Sequence, residues 1–219
     1  MKKIICLLFF VQAIFVQTAT AQQGKQDPLA AELLDQMGKK YKSLQSFKAS
    51  YSQVAQGNDG KILDQQKGDI VVKGKKFNLK LNNQVLVCDG TTLWSYIRDA
   101  KELNISDYQP EEDEVTPTSV YTMYQKGYKY VMIGEVKEDG MVLQAIDLEP
   151  DDLSKEITKV RLFINKTDKT LRKWIIYERG TNNRQVFEIQ KFTANVPAAE
   201  SMFSFDKKTY PVKTQTDLR

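Results

Sequence analysis

Few side chains in this sequence could do covalent or acid–base chemistry, and their neighbours limit what they can do. Of its two cysteines, Cys6 and Cys88, only Cys88 lies beyond the N-terminal apolar stretch. A thiol attacks as its thiolate, which needs a base or a cation beside it. The 219 residues contain no histidine, which removes His-based triads, Cys–His dyads and His-containing metal sites. Cys88 stands in an alternating apolar segment, the setting of a small buried hydrophobe. Carboxylates gather at Asp147, Glu149, Asp151 and Asp152, but their spacing does not match a calcium loop, and neither GxGxxG nor a Walker loop occurs. Paired carboxylates suffice for glycoside hydrolysis, so a carboxylate-dependent hydrolase stays open as an alternative, although no pair is singled out. The expectation is a non-enzymatic protein with no catalytic residue, metal site or cofactor.

Charge points to no nucleic-acid partner. Lys and Arg number 32 against 28 Asp and Glu, a formal net charge of +4, and the basic clusters are short. Lys73, Lys75, Lys76 and Lys80 read as solvated strand edges, and Lys39, Lys40 and Lys42 as a helix C-terminus favoured by its dipole. The competing reading is docking to an anionic membrane or protein. Glu111 to Glu114 reads as an exposed acidic loop.

The N-terminus reads as a secretory signal peptide. Lys2 and Lys3 form a charged start, Ile4 to Val16 is apolar except for Gln12, and Ala19-Thr20-Ala21 supplies small residues for cleavage after Ala21. Cys6 precedes most of the apolar segment, which is the wrong place for lipoprotein acylation. Removing 21 residues from 219 leaves 198, takes the charge from +4 to +2 with Lys2 and Lys3, and leaves Cys88 as the sole cysteine. An exported chain without a disulfide must rest on its core, and this length suffices for one domain over residues 22–219. The expected product is a periplasmic, unanchored monomer.

Apolar patterning is the strongest remaining signal. Phe77 to Leu81 and Val85 to Tyr96 read as strands with large side chains on alternate positions, and Asp89-Gly90 predicts a type I′ turn. Asp27 as N-cap and Pro28 open a helix with Leu34, Met37, Tyr41 and Leu44 on one stripe, despite Gly38. From Phe47 the period shifts to two through Ala49, Tyr51 and Gln53. Strands follow at about residues 68–73, 76–81, 85–88, 92–97 and 102–106. Thr116-Pro117 then predicts a second helix carrying Val120, Tyr121, Met123 and Tyr124 and ending near Gly127. Strands resume over 128–135, 141–148, 157–165, 171–179 and 185–192, with turns at Asp139-Gly140, 165–169 and 180–183. About eleven strands and two helices make an α+β protein. So long an antiparallel sheet must curl, leaving a concave face. The covering stripe Met37, Tyr41, Tyr121, Met123 and Tyr124 suits either ordinary core packing or a ligand cavity, since methionine adapts to irregular apolar partners.

The order Phe47-x-Ala49-x-Tyr51-x-Gln53, Gly68-Asp69-Ile70, Phe77, Val87-x-Asp89-Gly90-x-x-Leu93-Trp94-x-Tyr96, Thr116-Pro117 and Phe203-x-Phe205 before Pro211 resembles the periplasmic outer-membrane lipoprotein carrier family (LolA-like), over roughly residues 29–212. The resemblance implies a curved, incomplete antiparallel β-barrel whose concave apolar face is covered by helices. It implies a chaperone that takes acylated lipoproteins from an inner-membrane ABC-type release complex, shields their acyl chains and passes them to an outer-membrane acceptor. It places Phe77, Leu79, Leu81 and Leu86 on the cavity wall and Leu34, Met37, Tyr41, Leu44, Tyr121, Met123 and Tyr124 on the lid side. The family's basic-Arg-Pro run, whose Arg helps to close the lid, reads here Lys73-Gly74-Lys75-Lys76, so Lys73 and Lys75 are the lid-closing candidates and substitute only partly for the planar guanidinium. Leu79 stands where many members carry Trp. A periplasmic module that senses lipid or mislocalised lipoprotein is the other alternative. Such modules usually carry a further domain or tether, and the end of the chain soon after Val212 is read as favouring a carrier.

Overall fold

The computed structural model describes residues 26–109, 116, 118–125, 127–181 and 183–219. The signal peptide and its cleavage site, the acidic run 111–114 and Pro117 lie outside the described residues.

Helix α1 spans Pro28–Lys42. Asp27 caps it, one carboxylate oxygen accepting from the N–H groups of Leu29 and Ala30 (2.9 and 3.4 Å), while its other oxygen accepts from Met132 N–H at 3.0 Å. One residue thus satisfies the first turn and ties the helix to the sheet. Ala30, Leu33, Leu34, Met37 and Tyr41 form the buried stripe, and Lys39, Lys40 and Lys42 occupy the last turn, where the dipole favours cations. Gly38 has a packing reason: a Cβ there would lie 2.7 Å from the Tyr124 hydroxyl.

Twelve strands form one sheet among the described residues: β1 Phe47–Gln56, β2 Ile62–Lys73, β3 Lys76–Leu81, β4 Gln84–Cys88, β5 Thr92–Ile97, β6 Glu102–Asp107, β7 Tyr128–Glu138, β8 Met141–Pro150, β9 Ile157–Asn165, β10 Leu171–Glu178, β11 Arg184–Ala194 and β12 Thr214–Asp217. Their order is β12-β6-β5-β4-β3-β2-β1-β11-β10-β9-β8-β7. Every pairing is antiparallel except that of β12 with β6. The sheet is open, with β7 and β12 as its edges.

Its curvature follows from what α1 touches. Flat, the nine strands from β4 to β7 would span about 38 Å at roughly 4.8 Å each, whereas a helix of 15 residues is about 22 Å long. Yet Leu34 and Met37 share one core with Phe77 and Cys88 on one side and with Tyr128, Ile146, Leu148 and Leu162 on the other. The sheet therefore curls around the helix. On its convex side Val85, Val87, Tyr96, Leu103 and Ile105 form a smaller cluster beneath Phe205, Tyr210 and Val212. The Tyr96 hydroxyl fastens that C-terminal segment by donating to the Pro211 carbonyl at 2.8 Å.

Four expectations are corrected. Residues 118–122 are turns leading into a 3-10 segment at Met123–Gln125 rather than a second α-helix. Val120, Tyr121 and Thr122 are poor helix formers, and the Ser119 and Thr122 hydroxyls bond to nearby main chain, Ser119 accepting from Thr116 N–H and Thr122 donating to the Ser119 carbonyl. Strand β2 starts six residues before Gly68 because Asp64, Gln65 and Gln66 pair with β1 without any apolar alternation to reveal it. Strand β12 is exposed throughout, and only pairing with β6 creates it. At Asp89-Gly90 only Gly90 has positive φ, +100°, so the turn is not type I′. Asp89 instead accepts from the N–H groups of Thr91 and Thr92. The type I′ pattern occurs at Asp139-Gly140, with φ of 48° and 72°.

Candidate functional site

Beneath a lid formed by residues 118–125, with Thr116, the curl leaves a half-open hollow of about 240 Å³. Strand register builds its wall in rows. Ala49 pairs with Ile70, Ile70 with Leu79, and Leu79 with Leu86. The next row joins Ile189, Tyr51, Gly68 and Leu81, and a third joins Gln53, Phe187 and Trp174. Two small residues, Ala49 and Gly68, stand in these rows. Ala49 offers only a methyl group, and a Cβ on Gly68 would come within 2.9 Å of Leu81 Cδ2 and 3.2 Å of the Tyr51 ring. At Gly68 the neighbouring Leu81 and Tyr51 side chains occupy the place a Cβ would take, and both of them line the hollow.

Aromatic contacts hold the lid. Tyr121 stacks on Tyr41 of α1, centroids 4.4 Å apart and planes 6° from parallel, and Phe47 meets Tyr41 edge-on at 5.6 Å. The Tyr124 hydroxyl donates to Asp35 at 3.0 Å, and the Tyr108 and Thr118 hydroxyls bond at 3.3 Å. Burial pushes the phenols of Tyr51 and Tyr121 up to about 12 and raises that of Tyr41 as well. All three are neutral in the working range of any periplasm. Burial likewise raises the Cys88 thiol, which keeps it protonated and inert.

Among the expected site residues, Tyr41, Leu79, Leu81, Leu86 and Tyr121 line the hollow. Leu34, Met37, Phe77, Met123 and Tyr124 are instead buried in the packed core around α1, and Leu44 is half-buried against it. Lys73 is placed away from the lid: its ammonium pairs with Glu200 at 2.7 Å and reaches the Ala198 carbonyl at 3.4 Å. Lys76 joins the same carboxylate, and together they hold Glu200 down to about 2. Lys75 is exposed, and its carbonyl accepts from the Cys88 thiol at 3.9 Å. Lys73 and Lys76 fasten the C-terminal segment, while Tyr41, Tyr121 and Tyr124 make the lid contacts.

Phe47, Ala49, Tyr51, Gln53, Ile70, Thr116, Val120, Leu171, Trp174, Phe187 and Ile189 also line the hollow and are not among the expected site residues. The alternation from Phe47 to Gln53 was a usable signal for the first four. The residues from β10 and β11 join them only through long-range pairing. No carboxylate lines the hollow among the described residues, and no group of three metal-ligating side chains occurs among them. Asp147 is committed elsewhere, to a two-pronged bond with Arg161 (2.5 and 2.8 Å) and to Lys159 at 3.2 Å. The site can therefore enclose apolar matter but offers no evident acid, base or nucleophile.

Comparison with known proteins agrees with this architecture. An uncharacterized conserved protein from Thermus thermophilus superposes with a TM-score of 0.57 at 13% identity, covering 84% of this chain and 98% of that one. A LolA superfamily protein from Nitrosomonas europaea (TM-score 0.43, 12% identity, 80% and 97% covered) and the lipoprotein LppX of Mycobacterium tuberculosis (0.48, 15%, 79% and 98%) are also similar. At such identities the likeness is one of fold. No curated protein sequence matches significantly. The sequence profile of the outer membrane lipoprotein carrier protein LolA matches residues 42–206, well over half of the chain. With its open curved sheet, its single covering helix and this profile match, the chain belongs to the LolA outer-membrane lipoprotein carrier family.

Proposed function

We propose that the protein is a periplasmic carrier that binds the acyl chains of lipoproteins in this hollow and moves them from the inner to the outer membrane. The observation that supports it best is the half-open apolar hollow itself. A well-packed core leaves few voids larger than a water molecule, yet here about 240 Å³ stays open beneath a lid held by a few aromatic contacts. The cargo is an acylated lipoprotein, the donor an ABC-type release complex of the inner membrane, and the recipient an outer-membrane acceptor. Family membership and the lack, among the described residues, of any helix long and apolar enough to cross a membrane are consistent with periplasmic work.

Magnitudes show why a lid is needed. An apolar cavity of about 150 Å³ takes up benzene, so this half-open hollow of about 240 Å³ has room for about ten carbon atoms. A longer chain requires residues 118–125 to rise. An acyl chain of about 15 methylenes carries on the order of 12 kcal/mol of unfavourable contact with water, so transfer without a shield is slow. Recovering only part of that energy, with the rest offset by opening the lid, leaves the cargo releasable.

The test is release of a radiolabelled lipoprotein from inner-membrane vesicles carrying the ABC-type complex. Purified wild-type protein should form a soluble one-to-one complex with it. Failure of any lipoprotein to leave the vesicles, with a folded carrier present, would refute the proposal.

A further inference from the structure

Strand β2 outruns its neighbour. It pairs with β1 from Ile62 to Val72, whereas β3 meets it only from Gly68 onward, so residues 62–67 form an open edge within the sheet. Which main-chain groups lie open follows from the turn at the other end. Lys73 and Lys76 close a two-residue turn at Gly74, whose φ is 59°, and the closing pair of such a turn is hydrogen-bonded. Counting back in twos through a register without shifts, Lys73, Val71 and Asp69 face β3. Lys67 and Gln65 face the same side, where no strand meets them among the described residues. Gln65 N–H is accordingly taken by the carboxylate of Asp64 at 2.8 Å. The Lys67 N–H and the carbonyls of Lys67 and Gln65 stay open among the described residues, and both residues are exposed.

The edge starts at the hollow. A Cβ on Gly68, the residue after Lys67, would lie 2.9 Å from Leu81 Cδ2 and 3.2 Å from the Tyr51 ring, and Leu81 and Tyr51 line the hollow. Beyond this row the inner face of β1 and β2 turns from apolar to amide. Gln66 stands opposite Gln53, which itself lines the hollow and donates to the Gln185 side chain at 3.4 Å. At the far end Ile62 and Leu63 are 60% and 63% exposed. The edge of β7, by contrast, is already met by the chain's own Gln26 and Asp27, which bond to main-chain groups of Tyr128, Tyr130 and Met132.

We propose that residues 62–67 receive the polypeptide of the cargo as an added strand while its acyl chain occupies the hollow. This rests on the carrier reading and extends it from the lipid to the peptide attached to it. Continuity of the two surfaces names the occupant: a ligand anchored by its acyl group beside Gly68 delivers its next residues to this edge. With the acylated residue first, the chain runs from Lys67 towards Ile62, antiparallel to β2 and in line with β3. About six residues cover this edge, at roughly 3.4 Å each. An extended peptide must place its N–H and C=O groups, and an unpaired strand edge is the template that takes them. Main-chain bonding is indifferent to sequence, so one edge serves cargoes of differing sequence. Asp64 guards it, because its carboxylate must release Gln65 N–H before a strand can add there.

The experiment compares two ligands of the full chain, each supplied from cyclodextrin and read by displacement of a neutral naphthylamine probe. One is a single palmitoylated residue blocked as its methylamide; the other is the same residue followed by a short peptide of alternating serine and valine. The peptide should raise affinity about tenfold, the worth of one or two net backbone hydrogen bonds. It should also slow hydrogen exchange at Lys67 N–H, which the lipid alone leaves unchanged. Lys67→Pro removes that N–H from the side facing away from β1, a place where strands tolerate proline, and N-methylation of the peptide blocks the same bonds from the ligand's side. Each should cancel the gain, read as the ratio of the two affinities within one protein. Circular dichroism establishes that the variant folds, and the methylated peptide needs no variant. Equal affinity of wild type for both ligands would overturn the proposal and leave the carrier reading intact. So would a gain that survives both blocks, which puts the peptide elsewhere, or a wild-type dimer in sedimentation that Lys67→Pro abolishes, which gives the edge to a second copy. If neither ligand displaces the probe, the carrier reading itself fails and takes this inference with it.

Discussion

Replacing Gly38 by alanine separates the helix from the lid. By intrinsic propensity alone, alanine in place of glycine in a helix interior stabilises by about 1 kcal/mol. The new Cβ, however, would stand 2.7 Å from the Tyr124 hydroxyl, closer than non-bonded atoms tolerate. Tyr124 is buried, 6% exposed, and must shift, stretching its 3.0 Å bond to Asp35. That bond contributes about 1 kcal/mol, and overpacking adds about 1–3 kcal/mol. The two signs fall on different elements. Global stability should fall by about 1–3 kcal/mol, the helix gain offsetting only part of the lid's loss of about 2–4 kcal/mol, and opening of residues 118–125 becomes at least about thirtyfold more frequent. Hydrogen exchange read by mass spectrometry checks this directly, with lid peptides losing more protection than those of α1. In a Tyr124→Phe background the offending oxygen is gone, and the next atoms lie at an ordinary 3.6 Å, so Gly38→Ala should there stabilise by about 1 kcal/mol. The reasoning is refuted if Gly38→Ala protects the lid in the wild-type background, or if its effect is the same in both backgrounds, because a double-mutant cycle must show coupling for groups in contact.

Leu79→Glu places a carboxylate on the wall between Ile70 and Leu86, where it must be desolvated or protonated; retention of lipoprotein in the release assay should fall at least tenfold while circular dichroism is kept. Met123→Glu is a different case, because Met123 is packed in the core, and it should lower the melting temperature rather than affect binding selectively. Gly68→Ala should destabilise by about 1–3 kcal/mol by urea titration, since its Cβ meets Leu81, the Lys80 carbonyl and Tyr51 at 2.9–3.2 Å. Burial raises the Asp147 carboxyl, but its bonds to Arg161 and Lys159 outweigh that and leave it below the usual range. Its contribution to stability is therefore complete above about pH 4 and is lost as the pH falls through the lower folded value. Urea midpoints measured against pH should show that acid loss in the wild type and a flatter profile in Asp147→Asn.

The boundary between what was readable in the chain and what was not follows the range of the forces involved. The absence of histidine, the cap at Asp27, the 3.6-residue stripe through Leu34, Met37 and Tyr41 and the two-residue alternation from Phe47 to Gln53 are local, and each was legible because propensity and burial act over a few neighbouring positions. The order of motifs from Phe47 to Pro211 carried the family and with it the curved open sheet. Tertiary structure alone decided which apolar residues pack and which surround a void. Leu34, Met37 and Met123 have the same chemistry as Leu79 and Leu81, yet the first three fill the core and the last two face the hollow. A hollow belongs to no residue, since it is the space left when distant strands come into register, here β1, β2, β3, β10 and β11, which all contribute to its lining. The same holds for the lid, where Tyr41 and Tyr121 stack across 80 positions of sequence, and for Lys73, whose partner Glu200 is 127 residues away. Local pattern cannot encode such meetings, because they depend on the closure of the whole sheet.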